Sequence, residues 1–299
     1  MCDCLVALPA ATGGRGTLFA KNSDRPPAER QLVEWSPPRH DRGQLRATHI
    51  QVPVHGAETL GCLLSRPAWG WGAEHGVNEA GVAAGNTTVF TTTDPRGAAP
   101  GLTGMDLVRL ALERCTTAAA AVDLITSLIE RFGQGGSGHD PALSPSPRPY
   151  WNAFLVADPV TAFVIDTSSR EFAVEAVAGV RAISNRTTIP AFDRAHRHPR
   201  QPVERLVDPR WHASQAVLQR QPVTVDALQA HLRSHGTCGD PGWSVCMHVD
   251  GVEATTASMI AQLRPSAPPT VWVLTGSPCS REYTSLSLAE AATTDLTGV

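Results

Sequence analysis

Residues 1–25 read MCDCLVALPAATGGRGTLFAKNSDR, and this stretch decides how the rest of the chain is interpreted. Two short apolar, β-prone runs flank a segment with one proline and three glycines, which is typical of a turn. The spacing predicts an antiparallel hairpin whose centre lies in that turn. The hairpin places Cys4 across from Lys21 and Cys2 across from Ser23, within two residues. The segment KNSDR therefore returns beside the N-terminus.

Cys2 directly follows the first methionine. Trimming a methionine ahead of a small residue would give Cys2 a thiol and a free α-amine on one carbon. An α-amine titrates at about 8, well below a lysine, so as the free base it can accept the proton of the thiol. Cys2 is therefore a candidate nucleophile that carries its own base. The alternative is an ordinary second residue, because a lone cysteine more often packs than catalyses.

The returning segment brings a basic group and a carboxylate towards this terminus. Lys21 is the one lysine among 25 Lys plus Arg residues, which indicates either a requirement for an ammonium group or chance. Lys21 could stabilise a thiolate, and Asp24 could orient the α-ammonium through a charge-assisted hydrogen bond. Strand alternation sends the two to opposite faces, so a break at Asn22-Ser23 is predicted if both point inward. The alternative is a surface ion pair that contributes little.

The rest of the chain predicts strands and helices in separate runs. Strands are predicted at 60–65, 82–90, 153–157 and 162–166, in WSVCMHV and TVWVLTG, and as a pair turning at Gly179. Helices are predicted in GMDLVRLALERC, TAAAAVDLITSLIERFG and VDALQAHLRSHG, where apolar residues recur every three or four positions. This order favours an α+β fold of antiparallel sheets with helices outside. Residues 1–299 contain no recognisable interdomain linker, which predicts a single domain.

Two asparagines are candidate donors to an oxyanion. The glycine-rich turn in GAEHGVNEAGVAAGN opens a strand that carries Asn86, although a plain hairpin turn is the alternative. Asn185, in ISNRTTI, stands at a strand end before a loop. The long loop GQGGSGHDPALSPSPRPYW could line the same cleft, with Trp69, Trp71 or Trp151 as an apolar wall, unless these tryptophans belong to the core.

Composition restricts the class of partner. A formal net charge of -3 gives no reason to expect nucleic acid or an anionic membrane. The absence of a long apolar run and of a basic signal-peptide region predicts a soluble, cytoplasmic protein. The seven scattered cysteines are expected to be reduced thiols. No cysteine pair has metal-ligand spacing, and His231 and His235 lack the glutamate of a zinc-protease helix, so neither a metal nor a cofactor is expected.

Several motifs resemble the secernins, in the same order along nearly the whole chain. They are MCDCLVALPAAT with FAKNSDRP, LSRPAWGWGAEHGVNEAGVAAGN, GMDLVRLALER, YWNAFLVAD, GVRAISN and TTASMI. Secernins are similar to bacterial cysteine dipeptidases among the N-terminal-nucleophile (Ntn) hydrolases, and more distantly to bile-salt hydrolases and penicillin V acylases. The resemblance implies a four-layer αββα sandwich of two antiparallel sheets with helices on both outer faces. It also implies that Cys2 becomes residue one of the mature enzyme.

The resemblance extends to individual site residues. AKNSD matches the stretch in which relatives keep a basic residue and an aspartate, here Lys21 and Asp24, although acylase relatives usually have arginine at the first position. Asn86 falls near the oxyanion asparagine of the family, and Asn185 in ISN matches another active-site asparagine. Arg210, in DPRWHASQAVL, stands where relatives place an arginine near the nucleophile.

These residues predict a cysteine-dependent amide hydrolase, either a dipeptidase or an N-acyl amino acid amidohydrolase. The Cys2 thiolate attacks the amide, Asn86 with Asn185 or a backbone N–H stabilises the oxyanion, and water hydrolyses the thioester. The expected partner is a small-molecule amide or dipeptide, with no nucleic acid and no membrane, while a homo-oligomer stays open. Two alternatives also stay open: an acyltransferase that resolves the thioester with an amine, and a secernin-like interaction protein in which Cys2 is inert.

Overall fold

The computed structural model describes residues 1–54, 58–144, 146–236, 240–296 and 298–299. Its strands, in chain order, are β1 (Cys2–Ala7), β2 (Thr17–Arg25), β3 (Gln31–Ser36), β4 (Gly43–Arg46), β5 (Gln51–Val54), β6 (Cys62–Pro67), β7 (His75–Asn78), β8 (Ala83–Val89), β9 (Trp151–Ala157), β10 (Ala162–Ser168), β11 (Glu171–Ala176), β12 (Val180–Ile183), β13 (His248–Val249), β14 (Glu253–Arg264), β15 (Ala267–Thr275) and β16 (Thr284–Ser287). Its α-helices are α1 (Gly104–Arg114), α2 (Ala118–Phe132), α3 (Pro190–His196), α4 (Val203–Leu206), α5 (Asp208–Leu218), α6 (Val225–Leu232) and α7 (Leu288–Ala291).

The strands form two seven-stranded antiparallel sheets and one small ribbon. The first sheet has the order β12-β1-β2-β14-β15-β16, with β13 paired to β14. The second sheet has the order β11-β10-β9-β8-β7-β6-β3, and β4 pairs only with β5. Neighbouring strands run antiparallel in both large sheets, including the outermost pairs. The predicted α+β architecture is therefore confirmed.

Three apolar clusters separate the chain into layers. One cluster joins the inner faces of the two sheets, and its members include Val6, Phe19, Leu63, Leu155 and Met259. A second cluster packs α1 and α2 on the outer face of the second sheet. A third packs α5 and α6 on the outer face of the first sheet, around Leu5 and Ile260. Helix, sheet, sheet and helix therefore follow one another, because each sheet buries apolar side chains on both of its faces.

The first hairpin has the predicted register. Cys2 pairs with Ser23, and Cys4 pairs with Lys21. The turn requires glycine at Gly16, where φ is +94° and a Cβ atom would lie 2.3 Å from the Leu263 carbonyl oxygen. The hairpin that the glycines indicate is therefore confirmed to the residue.

The helix boundaries follow capping signals in the sequence. Thr103 begins α1 in a capping box, in which its hydroxyl accepts from the Asp106 N–H and the Asp106 carboxylate accepts in return. Thr117 caps α2, and Gly133 ends it with a φ of +72°. Within the described part of the chain, no helix is both long enough and apolar enough to cross a membrane.

Two predictions of secondary structure are wrong. The strands on either side of Gly179 do not pair, because β11 joins the second sheet and β12 joins the first. In WSVCMHV only His248–Val249 is a strand, and the preceding backbone instead accepts a hydrogen bond from a β2 side chain, at the Val245 carbonyl. The tract 194–209, which shows no apolar periodicity, contains α4 and the ends of two further helices.

Candidate active site

A cleft opens at the start of β1, with the Cys2 side chain in its wall. Its lining residues are Met1, Cys2, Asp24, Arg25, Glu74, Asn86, Thr88, Phe90, His139, Pro149, Tyr150 and Glu253. Cys2 is only 6% exposed. Because side chains alternate along β1, Cys2 shares a face with Cys4 and Val6, which lie between the sheets. Burial raises the pKa of the Cys2 thiol, and the Lys21 ammonium opposes that increase.

Lys21 lies on the same inner face of the hairpin as Cys2. The Lys21 side chain is fully buried. Its Nζ donates to Ser23 Oγ over 2.6 Å and lies 3.9 Å from Glu74 Oε2. Burial disfavours the charge, but Cys2 and Glu74 outweigh burial and raise the pKa of Lys21. A Cβ atom at Gly85 would lie 2.7 Å from Lys21 Cδ, so the glycine makes room for this side chain. A buried cation therefore lies beside the thiol, although Lys21 itself does not line the cleft.

Asp24 points to the other face of β2, as strand alternation requires. The predicted break at Asn22-Ser23 is absent, since β2 is continuous, and the irregularity lies on β14 between Thr255 and Ala257. Asp24 Oδ1 accepts from Thr255 Oγ1 over 2.6 Å, and Oδ2 is buried without a hydrogen-bond partner. Burial raises the pKa of this carboxyl to about 7, although the nearby terminal ammonium acts in the opposite direction. Asp24 still reaches the cleft.

The N-terminal residue occupies part of the cleft. The Met1 ammonium donates to the Asp24 carbonyl oxygen and to Glu253 Oε2, each over 3.0 Å. Burial disfavours the charge on this ammonium, but Glu253, Cys2 and Asp24 together raise the pKa of the amine. The nitrogen of Cys2 is an amide here, and its N–H donates to Asn185 Oδ1 over 2.9 Å.

Asn185 and Arg210 form one hydrogen-bonded unit behind Cys2. Arg210 Nη2 donates to Asn185 Oδ1 over 2.8 Å, and Arg210 Nη1 donates to Asp3 Oδ2 over 2.6 Å. The Asn185 amide donates to the Thr88 carbonyl oxygen over 3.0 Å. Neither side chain lines the cleft. The structure thus brings both residues to the Cys2 nitrogen rather than to the space in front of the thiol.

Asn86 does line the cleft, at the end of a chain of amide side chains. Its Nδ2 donates to Asn152 Oδ1 over 2.8 Å, Asn152 Nδ2 donates to Gln134 Oε1 over 2.9 Å, and Gln134 Nε2 donates to Thr167 Oγ1 over 2.9 Å. Each acceptor fixes the orientation of the amide before it. The chain therefore fixes the Asn86 amide, whose Oδ1 is buried without a hydrogen-bond partner.

The structure adds cleft residues that the sequence reasoning missed. Arg25 Nη1 donates to Glu74 Oε1 over 3.0 Å, and its other nitrogens donate to Glu29 and to the Gly138 carbonyl. Arg25 and Lys21 hold the pKa of Glu74 at about 2, against the effect of burial. Both Arg25 and Glu74 stand inside motifs quoted above, next to KNSD and in GAEHGVNEAG. The inward position of Arg25 could have been read from its alternation with Lys21 and Ser23 along β2, whereas Glu74 lies just before β7 and is not covered by that rule.

The long loop that follows α2 also reaches the cleft. Its described residues contribute His139, Pro149 and Tyr150, in agreement with the expectation that this loop lines the site. The tryptophans do not form the expected wall. Trp151 is buried between the sheets, while neither Trp69 nor Trp71 borders the cleft.

The fold places the chain among known structures. No family model matches it. It is similar to penicillin V acylase from Agrobacterium tumefaciens, with a TM-score of 0.55 and 13% identity over 96% of this chain and 86% of that one. A mutant of the conjugated bile acid hydrolase from Clostridium perfringens gives a TM-score of 0.58 and 10% identity, over 100% of this chain and 94% of that one. The Caenorhabditis elegans ortholog of N-acylethanolamine-hydrolyzing acid amidase gives a TM-score of 0.52 and 11% identity, over 91% of this chain and 99% of that one.

The chain shares the fold of these three hydrolases, an α+β sandwich of two antiparallel sheets. Identities of this size establish the fold and leave the reaction to be argued from the site. The site can supply a thiol, a buried cation beside it, an amide donor and, once Met1 is removed, an amine on the nucleophilic residue itself. Those groups suffice for nucleophilic attack on a carbonyl.

Metal-binding side chains come together elsewhere. Among the described residues, the group with ligand geometry is His235, Cys246, His248 and Cys279, which does not border the cleft. The expectation of no metal rested on spacing along the sequence. The fold brings together ligands from distant positions, which that criterion could not detect. Cys238 lies outside the described residues, and the other cysteines carry free thiols.

Proposed function

We propose that this protein is a cysteine-dependent amide hydrolase whose nucleophile is the Cys2 thiol after removal of Met1. The observation that carries the proposal is the position of Cys2, at the first residue of a buried strand in the wall of a cleft, with its nitrogen on Asn185 Oδ1. The names of the similar structures, an acylase, a bile acid hydrolase and an amidase, support an amide substrate. The motifs shared with secernins and cysteine dipeptidases support a peptide substrate.

Each residue then has a role in acyl transfer to sulfur. The free amine of Cys2 takes the proton of the thiol, and Lys21 stabilises the thiolate. Sulfur attacks the carbonyl carbon, and the unused N–H of Asn86 donates to the oxyanion. The ammonium of Cys2 then protonates the departing nitrogen, the C–N bond breaks, and water hydrolyses the thioester. Asn185, braced by Arg210, keeps the amine oriented, and Asp24 adds a carboxyl group to the same end of the cleft.

The chain that keeps Met1 is an inactive form under this mechanism. The nitrogen of Cys2 is then an amide without a lone pair available for proton transfer, and burial keeps the thiol protonated because the thiol pKa is raised. Met1 also forms part of the wall of the cleft. Removing Met1 creates the base and opens the substrate space in one step.

The contacts of Met1 favour a substrate with a free amino group. Its ammonium lies between Glu253 Oε2 and the Asp24 carbonyl oxygen, two acceptors that suit a cation. Once Met1 has gone, the α-ammonium of a dipeptide can take the same place. An N-acylated substrate would leave the Glu253 carboxylate without that partner. We therefore propose a dipeptidase in preference to an N-acyl amino acid amidohydrolase.

The first test is the intact mass before and after brief treatment with iodoacetamide, followed by mapping of the label. We expect a mass short by one methionine and faster labelling of Cys2 than of the buried thiols at Cys4, Cys62 and Cys115. Retained Met1 and a Cys2 no more reactive than those three would contradict the mechanism and favour the interaction-protein alternative. Cys115→Ala is the matched control for Cys2→Ala in assays with a dipeptide panel.

A second test addresses the amino group. Glu253→Gln should raise KM for free dipeptides by about tenfold, since it removes a partly buried ion pair, and should leave the kinetics of N-acetylated dipeptides unchanged. An equal effect on both substrates would show that Glu253 does not bind the amino group. Product analysis with an added amine distinguishes hydrolysis from acyl transfer.

A further inference from the structure

Four side chains from three separate segments meet away from the cleft. His235 lies just after α6, Cys246 and His248 flank Met247 at the start of β13, and Cys279 lies in the loop after β15. One ligand atom from each of the four lies within 4.8 Å of the others. These are two thiols and two imidazoles, with no carboxylate among them.

The distances are those of a tetrahedral metal site. His248 Nε2 lies 3.4 Å from Cys246 Sγ and 3.2 Å from Cys279 Sγ. Around zinc, bonds of about 2.3 Å to sulfur and about 2.0 Å to nitrogen place a sulfur and a nitrogen roughly 3.5 Å apart at the corners of a tetrahedron. The His235 and His248 rings are nearly perpendicular, with centroids 5.0 Å apart, so they do not stack. The two imidazoles and two thiols therefore already surround a common centre.

We propose that His235, Cys246, His248 and Cys279 bind one Zn²⁺ in a closed structural site. Two thiolates and two imidazoles are a ligand set that zinc prefers, and four protein ligands leave no position for a catalytic water. None of its ligands lines the cleft, so the zinc takes no direct part in the Cys2 chemistry. Its function is to hold the end of α6 to two segments of the first sheet, at the start of β13 and after β15.

The segment that carries two of the ligands also supports the cleft. The Val245 carbonyl, next to Cys246, accepts from Asn22 Nδ2 on β2 over 2.9 Å. Met247, between the two ligands, donates its N–H to Thr255 Oγ1 over 2.8 Å, and that hydroxyl donates to Asp24. Zinc would thus fix a segment with little regular structure of its own, and through it the orientation of the Asp24 carboxyl.

The experiment uses the full chain with Cys2→Ala, so that a result does not depend on the proposed hydrolase. The purified protein is loaded with zinc under reducing conditions, freed of excess metal, and analysed for metal content. We expect about one zinc per chain, and a visible spectrum of tetrahedral Co²⁺ with thiolate charge-transfer bands when cobalt replaces it. Cys279→Ser should lose the zinc and those bands. Ser280→Ala, an exposed change in the same loop, should keep them.

Two results would overturn the proposal. One is the absence of retained zinc in the folded full chain, or equal retention by the Cys279→Ser variant. The other is a disulfide between Cys246 and Cys279 in the zinc-loaded protein, because oxidised sulfurs cannot be thiolate ligands. If Cys279→Ser fails to fold, the cobalt spectrum of the protein with all four ligands tests the proposal instead. Thiolate charge-transfer bands appear only when a cysteine is bound to the metal. His235→Ala, compared with the exposed His212→Ala, gives a second pair of variants.

Discussion

The backbone N–H of Cys2 donates to Asn185 Oδ1 over 2.9 Å, so the nucleophilic residue is held through its nitrogen as well as through its strand. The same oxygen accepts from Arg210, which is itself fully buried. When Met1 is removed, that nitrogen becomes the proposed base. The direction of its lone pair, and hence its reach to the thiol, then depends on this side-chain oxygen.

Replacing Asn185 therefore tests whether the amine must be oriented. Asn185→Leu should lower kcat by about 10²-fold, the usual effect of a small displacement of a reacting group, and should slow iodoacetamide labelling of Cys2. Asn185→Asp keeps an oxygen that can accept from Arg210, so it should recover part of kcat and part of the labelling rate. Wild-type labelling in the leucine variant, with its mass confirming that Met1 is gone, would exclude an orienting role.

Lys21 and Gly85 give a test of the cation beside the thiol. Lys21→Met removes the charge and should reduce the labelling rate of Cys2, because the pKa of the thiol rises without the ammonium. Gly85→Ala should have the same direction of effect, since its Cβ would lie 2.7 Å from Lys21 Cδ and must displace it. Gly97→Ala, where an added Cβ meets nothing within 4 Å, is the matched control. Labelling that is insensitive to pH and to both variants would show that Lys21 is only structural.

Asn86 and Asn152 separate an oxyanion donor from its support. Asn86→Ala should reduce kcat by about 10² to 10³-fold, as expected for loss of one donor to the oxyanion. Asn152→Ala should cause a smaller loss, because Asn86 is still present but its amide is no longer held by Asn152 Oδ1. The double variant should match Asn86→Ala alone. Steady-state kinetics on one dipeptide would show this, and additive losses would mean that the two residues act separately.

The sequence predicts the first hairpin well because a hairpin is a local structure. Its register depends on two apolar runs and the glycines between them. Counting residues outward from the centre of the turn places Cys2 opposite Ser23, as observed. The face of each β2 residue follows in the same way, including the outward position of Asp24. The expected break in β2 was wrong because the irregularity formed on the partner strand β14 instead, and that strand lies more than two hundred residues further along the chain.

The contacts between distant segments could not be read from the sequence. Glu253 lies near the terminal ammonium only because β14 pairs with β2. Cys246 and Cys279 come together only when the loops before β13 and after β15 fold onto one another. Strand β12 pairs with β1 rather than with β11, although only the turn at Gly179 separates β11 from β12. The choice of partner strand depends on packing, which the alternation of apolar residues along one strand does not reveal.

The charge state of Asp24 predicts how the stability of the Met1-bearing chain depends on pH. Burial raises its pKa to about 7 in the folded chain, from 3.8 in the unfolded chain, so folding retains a proton between those values. Stability should therefore fall as pH rises from about 4 to about 7, by an amount of order 1 kcal/mol per pH unit from this group. Asp24→Asn carries no titrating group at this position. Its free energy of unfolding, compared with that of the wild type, should therefore increase as pH rises from about 4 to about 7. Urea unfolding at several pH values, on protein made with methionine aminopeptidase inhibited, measures the difference. A constant difference would mean that Asp24 is already ionised at the lower pH, held so by the Met1 ammonium and Arg210.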